Sequence, residues 1–437
     1  MSTPALSPRA RYIVLFTAIG ALLFDGVELG LMPVASLSVS QSLLGEAFTP
    51  TLGGDWFAQF TAALMLGAAV GGIFLGSLGD RIGRTRALGV SVLFYSVFAG
   101  LGAYVKTQEQ MLVLRFLVGL GVGGVWPNAV ALAAECWPDK SRPIIAGLMG
   151  AALNAGILML SQIARGWPIT PDSWRWIFQL AAAPAVLGVV ALTLVPESPL
   201  WLAASGARRN PGSAGIPAGE LRTQIFPAKA AGAPNTLREL FRPPLLRLTL
   251  IGVLIGSIPM VGAWAASKWM IPWADKVGGA AEAGYKAITQ GWWALGAVLG
   301  SFFGAQIAAR LGRRRAYALI SAATTVLTVL MFLGTAPLQA SFLPIVFAQG
   351  FVATLFFGWL PLYLPELFPT HVRAAGSGIA YNVGRFATAL GVLAAGALFA
   401  AMGGSYPKVG ATCGLIYLLG LIVIWWAPDT TNQKLKE

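Results

Sequence analysis

The chain has 437 residues, of which 56% are hydrophobic and 11% charged, with a net charge of +13 and a mean hydropathy of +0.71. Soluble domains carry about 25% charged residues, so a water-soluble fold is excluded: the charges are too few to cover the surface of so large a chain. Two cysteines, Cys136 and Cys413, are too few for a disulfide framework and read as packing residues in or beside apolar spans.

Apolar stretches near the ~20 residues that cross a bilayer recur twelve times, over 12–37, 56–78, 87–105, 109–134, 143–164, 174–195, 248–273, 285–309, 315–335, 341–366, 376–402 and 408–427. The expected fold is therefore an all-α membrane protein of twelve transmembrane helices in two pseudo-symmetric six-helix bundles. The first run is too long for a signal-peptide core, lacks a small-residue cleavage site and continues as a full span, so it is read as retained. The polar interval 196–247, with Arg208, Arg209, Pro211 and Gly212, divides the spans six and six and reads as a cytoplasmic linker. The expected domains are 1–195, 196–247 and 248–437.

Between the second and third spans, Gly76 to Leu88 reads G-S-L-G-D-R-I-G-R-T-R-A-L. Charges packed that closely cannot lie in hydrocarbon, and Arg81, Arg84 and Arg86 place this loop on the cytoplasmic side. Over the chain, 21 Lys and Arg fall on that side against 7 on the other, which puts both termini in the cytoplasm. Basic residues alternate with spans and form no continuous patch, so the lipid bilayer explains the positive charge and a nucleic-acid partner is excluded.

The two halves repeat. Glu135-Cys-Trp-Pro138 followed by Arg142 matches Glu366-Leu-Phe-Pro369 followed by Arg373, and Arg81-Ile-Gly83-Arg84 matches Arg310-Leu-Gly312-Arg313. The second loop has Ala309 where the first has Asp80. Asp80, Arg84, Glu135, Arg142 and Glu197, with Glu366, Arg373 and Asp429 in the second half, all fall at cytoplasmic span ends. Opposite charges there brace neighbouring helices and can act as a gate that breaks when the halves part. The competing reading is that they only anchor helix ends in the headgroup region.

These motifs resemble the major facilitator superfamily. The loop at Asp80 resembles its signature between helices two and three. Pro196-Glu-Ser-Pro-Leu-Trp-Leu202 resembles the P-E-S-P-R-W-L motif of the sugar-porter-like branch, Pro428-Asp-Thr-Thr-Asn its P-E-T-K-G, and Arg115-Phe-Leu-Val-Gly119-Leu-Gly121 its arginine-glycine motif. The Q-Q-x-S-G-x-N segment of hexose porters is absent from the seventh span, and the G-P-x-x-G-G of drug antiporters from the fifth. Phe24-Asp25-Gly26-Val27-Glu28 resembles the D-G-x-D element of aromatic acid/proton symporters. The resemblance implies a secondary transporter, and this group implies symport of a small organic anion with protons.

The charges inside the spans point the same way independently. Asp25 lies 13 residues into the first span, or ~20 Å along its axis, near the middle of the bilayer. Glu28 is one turn further on the same face. A carboxylate that changes protonation at the midplane can couple transport to a proton gradient, and intramembrane acids are costly enough to be functional by default. The alternative is a structural ion pair, for example with Arg115, for which proton coupling and structural pairing stay open. Arg385, nine residues into the eleventh span, offers a fork for a substrate carboxylate, the role the resemblance to organic anion transporters implies; its alternative is to neutralise Asp25 or Glu28. Lys268 falls nearer an outer end.

Asn154, Gln162, Trp264, Gln290, Trp292, Trp293, Gln349, Trp359, Tyr381 and Asn382 complete the candidate substrate pocket. His371 reads as a loop residue. No metal-ligand spacing, nucleotide loop or nucleophile constellation stands out, so the expectation is no enzyme, no metal and no cofactor, with the proton gradient as energy source. The expected protein is a monomeric symporter of a small molecule in a bacterial inner membrane. A sugar or polyol porter with structural charges, and a non-transporting sensor or scaffold on the same fold, are the alternatives.

Overall fold

The computed structural model describes residues 6–137, 142–199, 201–202, 239–369 and 372–431. Most of the 196–247 interval, His371 and the side chains of Arg142 and Arg373 lie outside that set.

Twelve described helices are long and apolar enough to cross a membrane: α1 (Pro8–Ala47), α2 (Pro50–Ile82), α3 (Arg84–Tyr104), α4 (Gln108–Cys136), α5 (Gly147–Gly166), α6 (Arg175–Thr193), α7 (Leu245–Gly278), α8 (Tyr285–Leu311), α9 (Arg313–Leu333), α10 (Phe342–Glu366), α11 (Gly376–Ala401) and α12 (Tyr406–Trp426). Several run past the apolar stretches that reveal them, because helix continues into the polar ends while hydropathy marks only the hydrocarbon. Thr49 and Thr107 cap α2 and α4 by accepting from the amides of Leu52 and Gln110 at 3.1 and 3.3 Å. The turns after α2 and α8 need a positive φ, and Gly83 (113°) and Gly312 (84°) supply it at matching places in the repeat.

Within the first half α2 lies against α4, and within the second α8 lies against α10. Both contacts require glycine: a Cβ on Gly67 would collide with the Phe116 carbonyl, and one on Gly296 with the Phe347 carbonyl. Between the halves, α2 packs along α11 and α5 along α8. Both described chain ends lie at one face, the terminal face. At the opposite, remote face the halves meet through aromatic rings. Trp269 of α7 stacks on Phe399 of α11 at 4.9 Å and meets Phe57 of α2 edge-on at 5.2 Å.

Candidate functional site

The middle of α1 carries two carboxylates because Asp25 and Glu28 sit one turn apart. Asp25 is 2% exposed and Glu28 1%. α1 is held close to α5 here: a Cβ on Gly26 would strike the Leu153 carbonyl, and one on Gly156 the Leu23 carbonyl. Glu28 forms an ion pair with Arg115 of α4, and both are fully enclosed. Asp25 Oδ1 makes no hydrogen bond, nor does the second oxygen of Glu28. The buried Tyr95 hydroxyl of α3 is close enough to feel both charges. The structure thus joins Glu28 to Arg115 and leaves Asp25 without a direct cation.

Arg385 reaches across from the other half. Its Nη1 donates to the Ala68 carbonyl of α2 at 2.9 Å, its guanidinium lies 5.3 Å from the Tyr381 ring, and it is the cation within electrostatic reach of Asp25. It is only half-buried, so its remaining donors are open. Asn382, three residues before it on α11, donates to the Gly378 carbonyl at 3.0 Å, with its oxygen turned toward Gly72 of α2.

Other predicted pocket residues bind the halves together. Asn154 donates to Ser301 at 2.8 Å and Gln290 to Ser161 at 3.2 Å, both between α5 and α8. A Cβ on Gly30 would lie 3.2 Å from the Gln290 amide nitrogen, which brings Gln290 beside α1 two residues beyond Glu28. Trp293 donates to Gln349 at 2.8 Å, and Gln349 donates to Ser267 at 2.6 Å, so α7, α8 and α10 share one buried polar chain. Trp264 borders it, half-buried.

Three residues lie elsewhere. Trp359 is in an aromatic stack near the terminal face, 4.7 Å from Tyr317 and 4.5 Å from Tyr363, and donates to the Arg313 carbonyl at 3.0 Å. Gln162 is exposed beside Gly291, and Trp292 is exposed and edge-on to Phe347. Helical phase turns Trp292 outward and the adjacent Trp293 inward.

At the terminal face, Arg84 pairs with Asp80 at 2.7 Å and with Glu135 at 3.1 Å. Ser198 donates to Glu135 at 2.5 Å, and Glu197 accepts from the Thr85 amide at 3.0 Å. The second half repeats this: Arg313 pairs with Glu366 at 2.8 Å and Thr430 donates to Glu366 at 2.5 Å. Asp429 accepts from the side chain and amide of Thr431, which hold its carboxyl below the usual range with help from Arg314 and Arg313. These pairs lie inside each half and brace neighbouring helices. Arg313, Ser198 and Thr430 were not singled out by sequence, although the repeat already aligned Arg313 with Arg84.

Two further lysines, read from the sequence as charges at outer span ends, are buried. Lys286 of α8 bonds Asp275 of α7 and Ser38 of α1, each at 3.0 Å, and so ties the halves at the remote face. Lys268 of α7 is 1% exposed and its Nζ lies 3.4 Å from the Trp293 ring centroid.

Twelve spans in two six-helix halves that pack against each other are the architecture of a membrane transporter. A family model described as sugar (and other) transporter matches residues 38–437, and the chain belongs to that family. It is 28% identical to the cis,cis-muconate transport protein of Acinetobacter baylyi, with 91% of this chain and 90% of that protein covered. It is also 28% identical to a probable 4-methylmuconolactone transporter of Cupriavidus pinatubonensis, over 86% of this chain and 82% of that one. The inward-open structure of the Escherichia coli xylose transporter shares the fold, with a TM-score of 0.70, 19% identity and 98% of both chains covered. The chain is thus a multi-pass integral membrane protein that moves a small molecule, and it is not an enzyme.

Proposed function

We propose that this transporter carries a small organic anion, a conjugated or aromatic carboxylate, together with protons. The observation that carries the proposal is Asp25: it is enclosed, its Oδ1 is unbonded, and it lies within electrostatic reach of Arg385. Protonation of Asp25 removes its attraction for Arg385, and the freed guanidinium holds the substrate carboxylate as a fork. Loss of the proton restores the Asp25–Arg385 attraction and expels the anion. Glu28 and Arg115 set the field at Asp25, while Tyr381, Asn382, Gln290, Asn154, Trp264, Trp293 and Gln349 shape the space. The likeness to a cis,cis-muconate transport protein supports an unsaturated acid as cargo.

The two bundles, 1–195 and 248–437, rock about the site, joined by 196–247. At the terminal face Asp80, Arg84, Glu135, Glu197, Glu366 and Asp429 exchange partners as that side closes. The terminal face is cytoplasmic, the membrane is a bacterial inner membrane, and the working unit is a monomer.

The test is uptake by cells expressing the chain, with labelled carboxylates and sugars, with and without a protonophore. Carboxylate accumulation abolished by the protonophore is expected. Accumulation of a sugar or polyol alone would establish the rival porter reading and overturn this one.

A further inference from the structure

α7 is not continuously α-helical. Its hydrogen bonding slackens into a π turn over Gly262–Ala266 and tightens into a 3-10 turn over Ser267–Trp269. Such breaks re-aim side chains and recur at functional sites. Lys268 stands in this break, and its Nζ makes no hydrogen bond although the residue is enclosed. The ammonium is held over aromatic faces instead, 3.4 Å from the Trp293 centroid and 5.7 Å from that of Trp264. Trp293 is itself fixed by Gln349, which is bonded to Ser267 and Thr328 at 2.6 and 3.3 Å.

Among the described residues no acid pairs with this lysine. Glu28 is taken by Arg115, Asp275 by Lys286, Glu366 by Arg313, and Asp80 and Glu135 by Arg84. Asp25 faces Arg385. A buried ammonium without a counter-ion is costly, and ring faces compensate it only in part. An anion that arrives and leaves completes it. The residue after it, Trp269, belongs to the aromatic seal with Phe57 and Phe399 that joins the halves at the remote face. Lys268 is thus next in the chain to the aromatic cluster that joins the halves at the remote face.

We propose that Lys268 is a second carboxylate-binding residue of the path, engaged from the remote side, and that it selects planar unsaturated acids whose body lies on the half-buried Trp264 ring. The inference rests on the organic-anion reading and divides the work: Lys268 receives the carboxylate on the remote side and Arg385 holds it toward the terminal side. Muconate and benzoate, one conjugated and one aromatic, are suitable probes, with an aliphatic acid of similar size as control.

Oriented proteoliposomes test this. Initial rates against concentration are measured from each face for the wild type, Lys268→Gln, Lys268→Arg and Trp264→Leu, each checked for a single size-exclusion peak. Lys268→Gln is expected to raise KM from the remote face about tenfold or more, the scale of one lost charge-assisted contact. Lys268→Arg recovers most of that loss, and KM from the terminal face stays within about twofold. Trp264→Leu weakens the unsaturated acids against the aliphatic one, which keeps the test alive if Lys268→Gln does not fold. A wild-type protein that moves no carboxylate overturns the organic-anion reading itself. Carboxylate transport by the wild type with KM unchanged in Lys268→Gln and selectivity unchanged in Trp264→Leu overturns this inference alone, as does a loss confined to maximal rate from both faces.

Discussion

Glu28 and Arg115 form an ion pair in which each side chain is 1% exposed, and that pairing makes Asp25 the midplane acid whose charge is answered only at a distance. Two carboxylates one turn apart on α1 have thereby acquired different surroundings. One is neutralised within its own half, and the other is directed at the opposite half.

Asp25→Asn fixes the midplane acid in a neutral state. Arg385 then stays available for the anion while proton release is impossible. Substrate exchange across proteoliposomes should continue, whereas accumulation against a gradient should fall by at least about tenfold, the cost of losing ~1.4 kcal/mol of coupling. Counterflow and gradient-driven uptake measured side by side separate the two, and an equal loss of both would contradict a coupling role.

The Glu28–Arg115 pair predicts a particular non-additivity. Arg115→Ala strands a buried carboxylate and should cost about 3–5 kcal/mol, whereas Glu28→Gln with Arg115→Met removes both charges and should recover most of it. Thermal unfolding in detergent reads the difference. A double variant no more stable than Arg115→Ala would mean the pairing is not the source of the loss.

The duplicated braces at the terminal face should weigh alike in the two halves. Glu135→Gln and Glu366→Gln each weaken a charge-assisted bond to an arginine (Arg84 and Arg313) and should each lower stability by about 1–3 kcal/mol. Transport should suffer more than stability implies, because helix ends that lose their brace no longer move as one body. Unfolding midpoints and initial rates of both variants check this; a loss in one half only would argue against equivalent roles.

Gly156→Ala places a methyl against the Leu23 carbonyl, two residues from Asp25. Overpacking at such a crossing costs about 1–3 kcal/mol, and it pushes α1 from α5 beside the coupling acid. A lower unfolding temperature together with impaired proton coupling is expected. An unaltered coupling ratio would show that the site tolerates movement of α1.

Much of this architecture was legible in sequence because hydropathy and helical period are local. The spans, the division into halves and the aligned Arg84 and Arg313 turns all follow from short-range patterns. Which buried partners meet was not legible. Asp25, Glu28 and Arg115 left several pairings open, since helix packing and not spacing decides that Arg115 takes Glu28. Trp359 sits instead near the terminal face, in an aromatic stack with Tyr317 and Tyr363, because hydropathy does not tell depth along a span. Lys268 looked peripheral because the π and 3-10 turns that carry it inward leave no mark in hydropathy.

The proposed coupling is that Asp25 takes up a proton as Arg385, in the opposite half, takes up the substrate carboxylate. Solute-induced proton uptake into proteoliposomes, recorded with muconate, benzoate and a sugar panel for the wild type, Asp25→Asn and Arg385→Ala, tests it most directly. Proton uptake on adding a carboxylate to the wild type, absent in both variants, is the predicted result. A sugar that the wild type and both variants carry equally well, with no proton movement on adding any carboxylate, would contradict it.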